Sequence, residues 1–553
     1  MRKTLYFVAG LLACASVASA QEGQDDNKVT VSGSIQSDML IGQEDAAIGA
    51  AKPEEWLLTN TYADVNLMSK NVDAGLRFEF NRFPLPGFEK DFKGYGVPYF
   101  YLKGKFKGAE ITLGSFYEQF GSGFILRNYE ERSLGIDNHL LGARIVLNPV
   151  KGVRLKALTG EQRRYWAHNG SWISGVDLEL SVDEWFSRMH ESNTFLTLGA
   201  SFVNKYEEEE TDNIMADMTH KLRLPQNVNA YDFRVRFQKG GFNLLGEYAF
   251  KTEDPSFDNG YIYRTGNVAM LSASYSRRGL SFLAQAKRSD DMSFRSRRSM
   301  TGTSSFLNHL PAFTQDQTYS LAAMYPYATN SGGEWAYQAQ VGYTFKRKTF
   351  LGGKYGMNLK VNYSYVTGID KNMHVLPETG GTIGSSGYGS AFWKWGDEMY
   401  YQDINVQMER RMSKNFKLNL MFMNQFYNQT VVEGHGGMVH SNIYVADGRY
   451  TFSPKFVLRA EAQYLTTGED QGDWVFGLLE ASLFSRLMIT LSDQYNAGET
   501  NEHYYQGLIT GTLGSHRLAV GYGRTRAGFN CSGGVCRYVP ATKGVTISYN
   551  YNF

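Results

Sequence analysis

Val545-Thr546-Ile547-Ser548-Tyr549-Asn550-Tyr551-Asn552-Phe553 closes the sequence. Successive side chains of a strand point to opposite faces. Val545, Ile547, Tyr549, Tyr551 and Phe553 therefore share one face, and Thr546, Ser548, Asn550 and Asn552 share the other. The first face is wholly apolar and finishes in three aromatic rings; the second is polar and uncharged. A strand of a soluble sandwich has the same period of two. A membrane barrel also needs aromatic rings at the bilayer interface and a polar face toward its lumen, and this stretch meets both needs. The expected fold is all-β, a single-domain antiparallel transmembrane β-barrel.

Working back from that strand, alternating stretches of about 10 to 15 residues fill the chain from Val29 onward. Soluble strands average about five or six residues, whereas tilted membrane strands need about 9 to 11. The connections fall into two classes. Short ones include Lys107-Gly108, Lys239-Gly240-Gly241, Ser453-Pro454-Lys455 and Gly514-Ser515-His516. Long ones include Pro84–Gly96, Glu118–Asp137, Glu207–Val228, Asp254–Thr265, Gly368–Asp397 and Gln429–Val439. The two classes alternate, as periplasmic turns and external loops do in membrane barrels. The count comes to about 25, and an even number is required. The pattern fails between Met292 and Asp397. Either a strand lies within Ser293–Phe313, giving about 26, or Tyr319–Tyr325 does not span, giving about 24. Both repairs leave the termini on the periplasmic side.

At the other end, Arg2 and Lys3 precede the apolar run Leu5–Ala13, and Ala18-Ser19-Ala20 offers small residues for cleavage. Residues 1–20 read as a secretory signal peptide, too short for a transmembrane helix. Residues 21–28 follow as a short polar periplasmic tail, and 29–553 form the barrel. A lipoprotein box ending at Cys14 is the competing reading. The formal charge of +1 falls to about −1 once Arg2 and Lys3 are removed, which argues against a nucleic-acid partner. No later window holds about 20 consecutive apolar residues, so no transmembrane helix is expected. The plug domain that a TonB-dependent transporter carries before its first strand is not expected either. Cys531 and Cys536, the two cysteines beyond the signal, lie in a Gly-rich loop and read as one loop disulfide at the cell surface, with two free thiols as the alternative.

The densest chemistry runs from Gly114 to Arg132 and on through Asp137 to Arg144. It combines aromatic residues, Gly121 and Gly123, and charges of both signs. Arg144, Arg154 and Lys156 lie on strands, where facing lipid would cost about 2–4 kcal/mol each, so they should face the lumen. The loop 118–137 is expected to fold inward. Phe116, Phe120, Phe124, Ile125 and Leu126 would pack on the wall, with glycines at the reversal. Glu118, Arg127, Glu130, Glu131, Arg132, Asp137, Arg144, Arg154 and Lys156 are then candidates for a charged pore constriction, with Glu130, Glu131 and Asp137 facing Arg144, Arg154 and Lys156. The alternative, compatible with it, is that these charges pair to brace a wide barrel.

Phe116–Arg132 with Gly135-Ile136-Asp137-Asn138, then Tyr325-Pro326-Tyr327-Ala328-Thr329 and Leu351-Gly352-Gly353-Lys354-Tyr355-Gly356, resemble a family of uncharacterised, porin-like outer-membrane barrel proteins of Bacteroidota. The terminal Tyr549, Tyr551 and Phe553 likewise resemble the assembly signal of Gram-negative outer-membrane barrels. The resemblance implies a fold and the bacterial outer membrane as location. It implies no substrate. A barrel enzyme would need a His beside a Ser or an Asp at the outer rim. His139, His168, His309, His435, His440 and His503 lie near loops or strand ends, none in a nucleophile motif. His435 and His440 give only a weak hint of a metal, and no metal or other cofactor is expected.

The leading expectation is a non-enzymatic channel for passive or facilitated passage of small solutes, with outer-membrane lipid and the barrel-assembly machinery as partners. The rival is a scaffold or secretion-associated barrel with another protein in its lumen. A barrel this wide must be filled or it conducts.

Overall fold

The computed structural model describes residues 29–208, 213–376 and 381–553. The expected signal peptide and tail, residues 1–28, lie outside the described residues.

Twenty-four antiparallel strands form one sheet, closed on itself. The strand Thr542–Asn552 pairs with Thr30–Gln43, from Ser34 opposite Asn552 to Gln43 opposite Lys543. Gly33 and Phe553 exchange backbone hydrogen bonds of 2.9 and 3.0 Å at the seam. In hydrocarbon an unpaired strand edge is too costly to survive, and closure removes it. Among the described residues helices are one- or two-turn pieces such as Ser187–Glu191 and Gln429–Glu433, and none is long and apolar enough to cross a membrane.

The alternation assigns two different solvents to the two faces. Outward stand Phe233 and Leu271, 52% and 55% exposed, among many large apolar side chains of similar exposure. Such a belt is tolerable only against lipid. Inward stand Asp64, Arg77 and Asp177, hydrogen-bonded across strands, and Asp232 and Asn405, bonded along their own strands to Arg234 and Asp403. Most turns on the side of the termini are tight, residues 182–193 and 346–356 being the longer exceptions. Lys239 opposes Phe242 and Arg277 opposes Leu280 across two-residue connections, with Gly240 and Gly279 at φ +55° and +83° supplying the left-handed backbone. The other side carries the long connections, apart from the two-residue turn after Arg164.

The strand count settles at 24 because residues 291–332 contain no spanning strand. Tyr319–Tyr325 sits inside the barrel instead. Met292, Phe294, Leu307 and Leu321 are fully buried in one cluster with Phe120, Phe124, Ile125 and Leu126 and with inward-facing wall residues such as Met423 and Ile443. Each such side chain contributes about 1.5–3 kcal/mol on burial. The lumen thus holds a hydrophobic core built from two inward loops. A stretch packed on every side has no reason to alternate.

Candidate functional site

The loop 117–139 is the third on the long-loop side, and it enters the lumen as its glycines allow. Gly121 and Gly123 have φ of +54° and +95°, and Gly123 N–H donates to Phe120 O (2.9 Å) while Phe120 N–H donates to Leu126 O (3.0 Å). At the reversal a Cβ on Gly121 would press on the Glu247 carboxylate. That carboxylate accepts from Ser122 N–H (2.8 Å) and Ser122 Oγ (2.6 Å), so the loop tip is fixed to the wall strand Phe242–Lys251.

Two ionic networks hold the loop. In the first, Glu118 accepts from Arg144 (2.5 Å) and Lys156 (3.0 Å). Lys156 also lies 3.6 Å from Asp177, which pairs with Arg234 at 2.6 Å. In the second, Arg77 reaches Asp64 (2.7 Å), Asp137 (2.9 Å) and Glu130 (3.0 Å). Arg163 joins Asp137 (2.5 Å) to Glu79 (2.7 Å), and Arg132 joins Glu130 (2.5 Å) to Asp64 (2.9 Å). Burial pushes the Asp137 carboxyl up, but His139, Arg163 and Arg77 outweigh it and hold the group well below the ordinary carboxylate range. Burial wins at Glu130, which is raised despite Arg77 and Arg132.

The sequence-expected pairings are therefore partly redrawn. Glu118, not Glu130, Glu131 or Asp137, meets Arg144 and Lys156. Glu130 and Asp137 belong to a short hairpin, residues 130–137, that docks against Arg77 and, at Asp137, against Arg163 of the same strand that carries Lys156. Glu131 turns to Ser133 (Oγ, 2.7 Å). Arg127 stacks over Tyr129 at 4.6 Å. Arg154 faces inward opposite Glu179, nearer the turns on the side of the termini, and joins neither network. Arg77, Asp64 and Glu79 escaped the sequence reading. They lie on early strands, and nothing local marks Arg77 as a partner of Glu130, 53 residues downstream, or of Asp137, 60 downstream.

The second inward loop, 291–332, also escaped. It pairs with the first through Arg127 N–H to Leu307 O (2.7 Å) and His309 N–H to Gly123 O (2.9 Å). Its far end reaches the opposite wall, where Gln425 donates to Tyr325 O (2.8 Å) and Tyr325 Oη donates to Asp470 (2.9 Å). The legible signal was the loss of period two over a stretch still rich in apolar residues. Cys531 and Cys536 are disulfide-bonded across the hairpin Gly528–Ser532/Val535–Val539. This hairpin lies over both loops: Thr329 N–H donates to Gly534 O (3.0 Å), and Arg537 donates to Ser133 O (2.9 Å).

Tyr549, Tyr551 and Phe553 project from the outer face. The His516 ring stacks on Tyr551 at 4.2 Å, and Tyr551 on Phe553 at 5.5 Å. Gly33 leaves room for the Phe553 ring where a Cβ would strike it. The histidines have separate structural partners: His139 bonds Asp137 (2.9 Å), His440 stacks on Phe426 at 4.2 Å, and His435 approaches Glu433 at 3.4 Å.

The inward loops leave one side of the lumen open. An open cleft of about 440 Å³ lies between them and the seam, bordered by inner faces of the first two and last three strands.

No curated protein matches the chain in sequence. Among solved structures, the siderophore receptor PirA from Pseudomonas aeruginosa is similar at 9% identity over 96% of this chain and 81% of its own, with a TM-score of 0.42. The translocation pore of the P pilus usher PapC is similar at 11% identity over 95% and 100%, TM-score 0.43. OccAB3 of Acinetobacter baumannii is similar at 10% identity over 96% and 99%, TM-score 0.36. These likenesses are too distant to transfer an activity. The sequence matches along residues 1–553 a family described as being of unknown function, DUF6029, and the chain belongs to that family.

Proposed function

We propose that the protein is a narrow, non-enzymatic channel of the bacterial outer membrane, one that passes small solutes through a lumen reduced by its own loops. The observation that carries this reading is the inner surface. It is charged and polar along the strands, the loop 117–139 is fixed to it by ion pairs at Glu118, Glu130 and Asp137, and an open cleft remains beside the seam. Outer-membrane lipid covers the apolar belt, and the barrel-assembly machinery reads the terminal Tyr549, Tyr551 and Phe553. Its resemblance to barrel proteins of Bacteroidota supports an origin in that group. The scaffold reading needs room for a protein partner in the lumen, and the packed core of the two inward loops leaves only the seam cleft beside it. Single-channel recording in planar bilayers tests the proposal. The mature chain should conduct weakly, and deletion of Gln119–Arg132 should raise conductance several-fold. A chain that inserts normally yet stays silent with and without the loop would refute the channel.

A further inference from the structure

The mouth of the seam cleft carries a charge that the protein does not neutralise. Arg537, on the disulfide-bonded hairpin, lies 3.9 Å over the Phe88 ring. It donates only to backbone carbonyls, Pro86 O at 3.3 Å and Ser133 O at 2.9 Å, and its buried Nε has no acceptor. Among the described residues it forms no ion pair. Its neighbour Arg132 differs, since Asp64 and Glu130 already meet that charge. A guanidinium held in place, stacked and lacking a carboxylate, is the usual receptor for one supplied from outside.

The cleft limits the class further. Its outer part is apolar, with Leu85, Phe88 and Leu508 along the walls. Deeper on the wall is Asp38, which accepts from Ser548 Oγ (2.7 Å) and Gln36 Nε2 (2.9 Å) and also has no ion pair among the described residues. A compact dianion would meet Arg537 with no use for the apolar wall and with Asp38 against it. A small organic acid satisfies both parts.

Resting on the channel reading, we infer that the seam cleft is a binding site for small organic carboxylates. The carboxylate sits on Arg537, the apolar body lies against Phe88 and Leu508, and the site selects the solute that enters. The disulfide between Cys531 and Cys536 fixes the hairpin that presents Arg537.

Calorimetric titration of the purified full-length mature protein in detergent tests this with three probes: benzoate, benzyl alcohol and inorganic phosphate. Benzoate should bind saturably, benzyl alcohol should not, and phosphate should bind at least about tenfold more weakly than benzoate. Arg537→Gln should weaken benzoate about tenfold or more, the range of a charge-assisted pair, with partial recovery in Arg537→Lys. Phe88→Leu, which leaves the charge alone, should weaken benzoate but not the residual phosphate binding. Heat-modifiable migration checks that each variant is folded. No benzoate binding, equal binding to Arg537→Gln, or equal affinity for benzyl alcohol or phosphate would overturn the site. Conductance without benzoate binding overturns this inference and leaves the channel standing; benzoate binding by a chain that never conducts overturns the channel and keeps the site.

Discussion

Replacing Glu118 by Gln keeps the shape of the loop and removes the one carboxylate that Arg144 and Lys156 share. The Glu118 side chain is 7% exposed, with Arg144 Nε at 2.5 Å and Lys156 Nζ at 3.0 Å. Removing one member of a fully buried pair costs about 3–5 kcal/mol, because the other is left unpaired. Here Lys156 keeps Asp177 at 3.6 Å and Arg144 retains some solvent, so the cost should fall to about 2–3 kcal/mol. That multiplies the undocked population of the loop about 30- to 150-fold. Trypsin reads this directly. Arg127 is held by its backbone bond to Leu307 and stacked on Tyr129, so cleavage after it requires undocking. Cleavage after Arg127 in intact membranes should accelerate by that factor, and channel openings should become more frequent. Adding Lys156→Gln should restore part of the loss, since the double variant no longer buries an ammonium whose one remaining carboxylate, Asp177, lies 3.6 Å away. If Glu118→Gln leaves both cleavage and conductance unchanged, the pairing does not hold the loop and the argument from the first network fails.

Five further outcomes are expected. Deleting Phe553, or replacing Val545, Ile547 and Tyr549 by Asp, should abolish heat-modifiable migration, because closure with Thr30–Gln43 is lost. Non-reducing peptide mapping should recover Cys531 joined to Cys536, and mass spectrometry of the mature chain should find Gln21 at its N-terminus. Gly121→Val should loosen the loop by about 1–3 kcal/mol, the cost of a non-Gly residue at positive φ, here made worse by contact with Glu247; accelerated cleavage after Arg127 measures it. His309 is buried beside Arg127 and Lys287, and its imidazole is pushed down to about 3. The docked loop therefore takes up fewer protons than the undocked one, and docking loses stability as pH falls from about 6.5 toward 3. Asp291, raised by burial to about 6, acts in the opposite direction below that pH. The clean readout is thus the difference between the parent and His309→Gln, which should be absent at pH 7.5 and grow below 6.5; parallel pH profiles for the two would refute it.

Local period was enough to place the wall. The final strand could be assigned to its two faces from nine residues, and the need to close the sheet pointed to the first strand, Thr30 to Met39, as its partner; the pairing runs from Ser34 to Gln43. Gly121 and Gly123, with Phe120, Phe124, Ile125 and Leu126, announced an inward loop because an apolar run at a glycine reversal has to be buried somewhere. Cys531 and Cys536 could be read as a pair, with free thiols the alternative, from their closeness in a Gly-rich loop alone; the structure joins them. The stretch 291–332 was opaque for the converse reason. A segment that builds a core in three dimensions places Met292, Phe294, Leu307 and Leu321 according to distant neighbours, so its sequence carries neither a strand nor a helix period.

The ionic partners were hidden by distance along the chain. Glu118 lies 38 residues from Lys156, and Arg77 lies 60 from Asp137. Any of several acidic residues between 118 and 137 could have met the basic wall, and only the docked register of the loop chooses among them. That choice bears on function. With Glu118, Glu130 and Asp137 each consumed by basic partners, the loop carries little net charge to act as a filter. Selectivity must then come from charges left unmatched, and on the open side of the lumen these are Arg537 and Asp38. Reversing Glu130 alone should therefore change docking more than ion preference, whereas neutralising Arg537 should change preference while the loop stays docked.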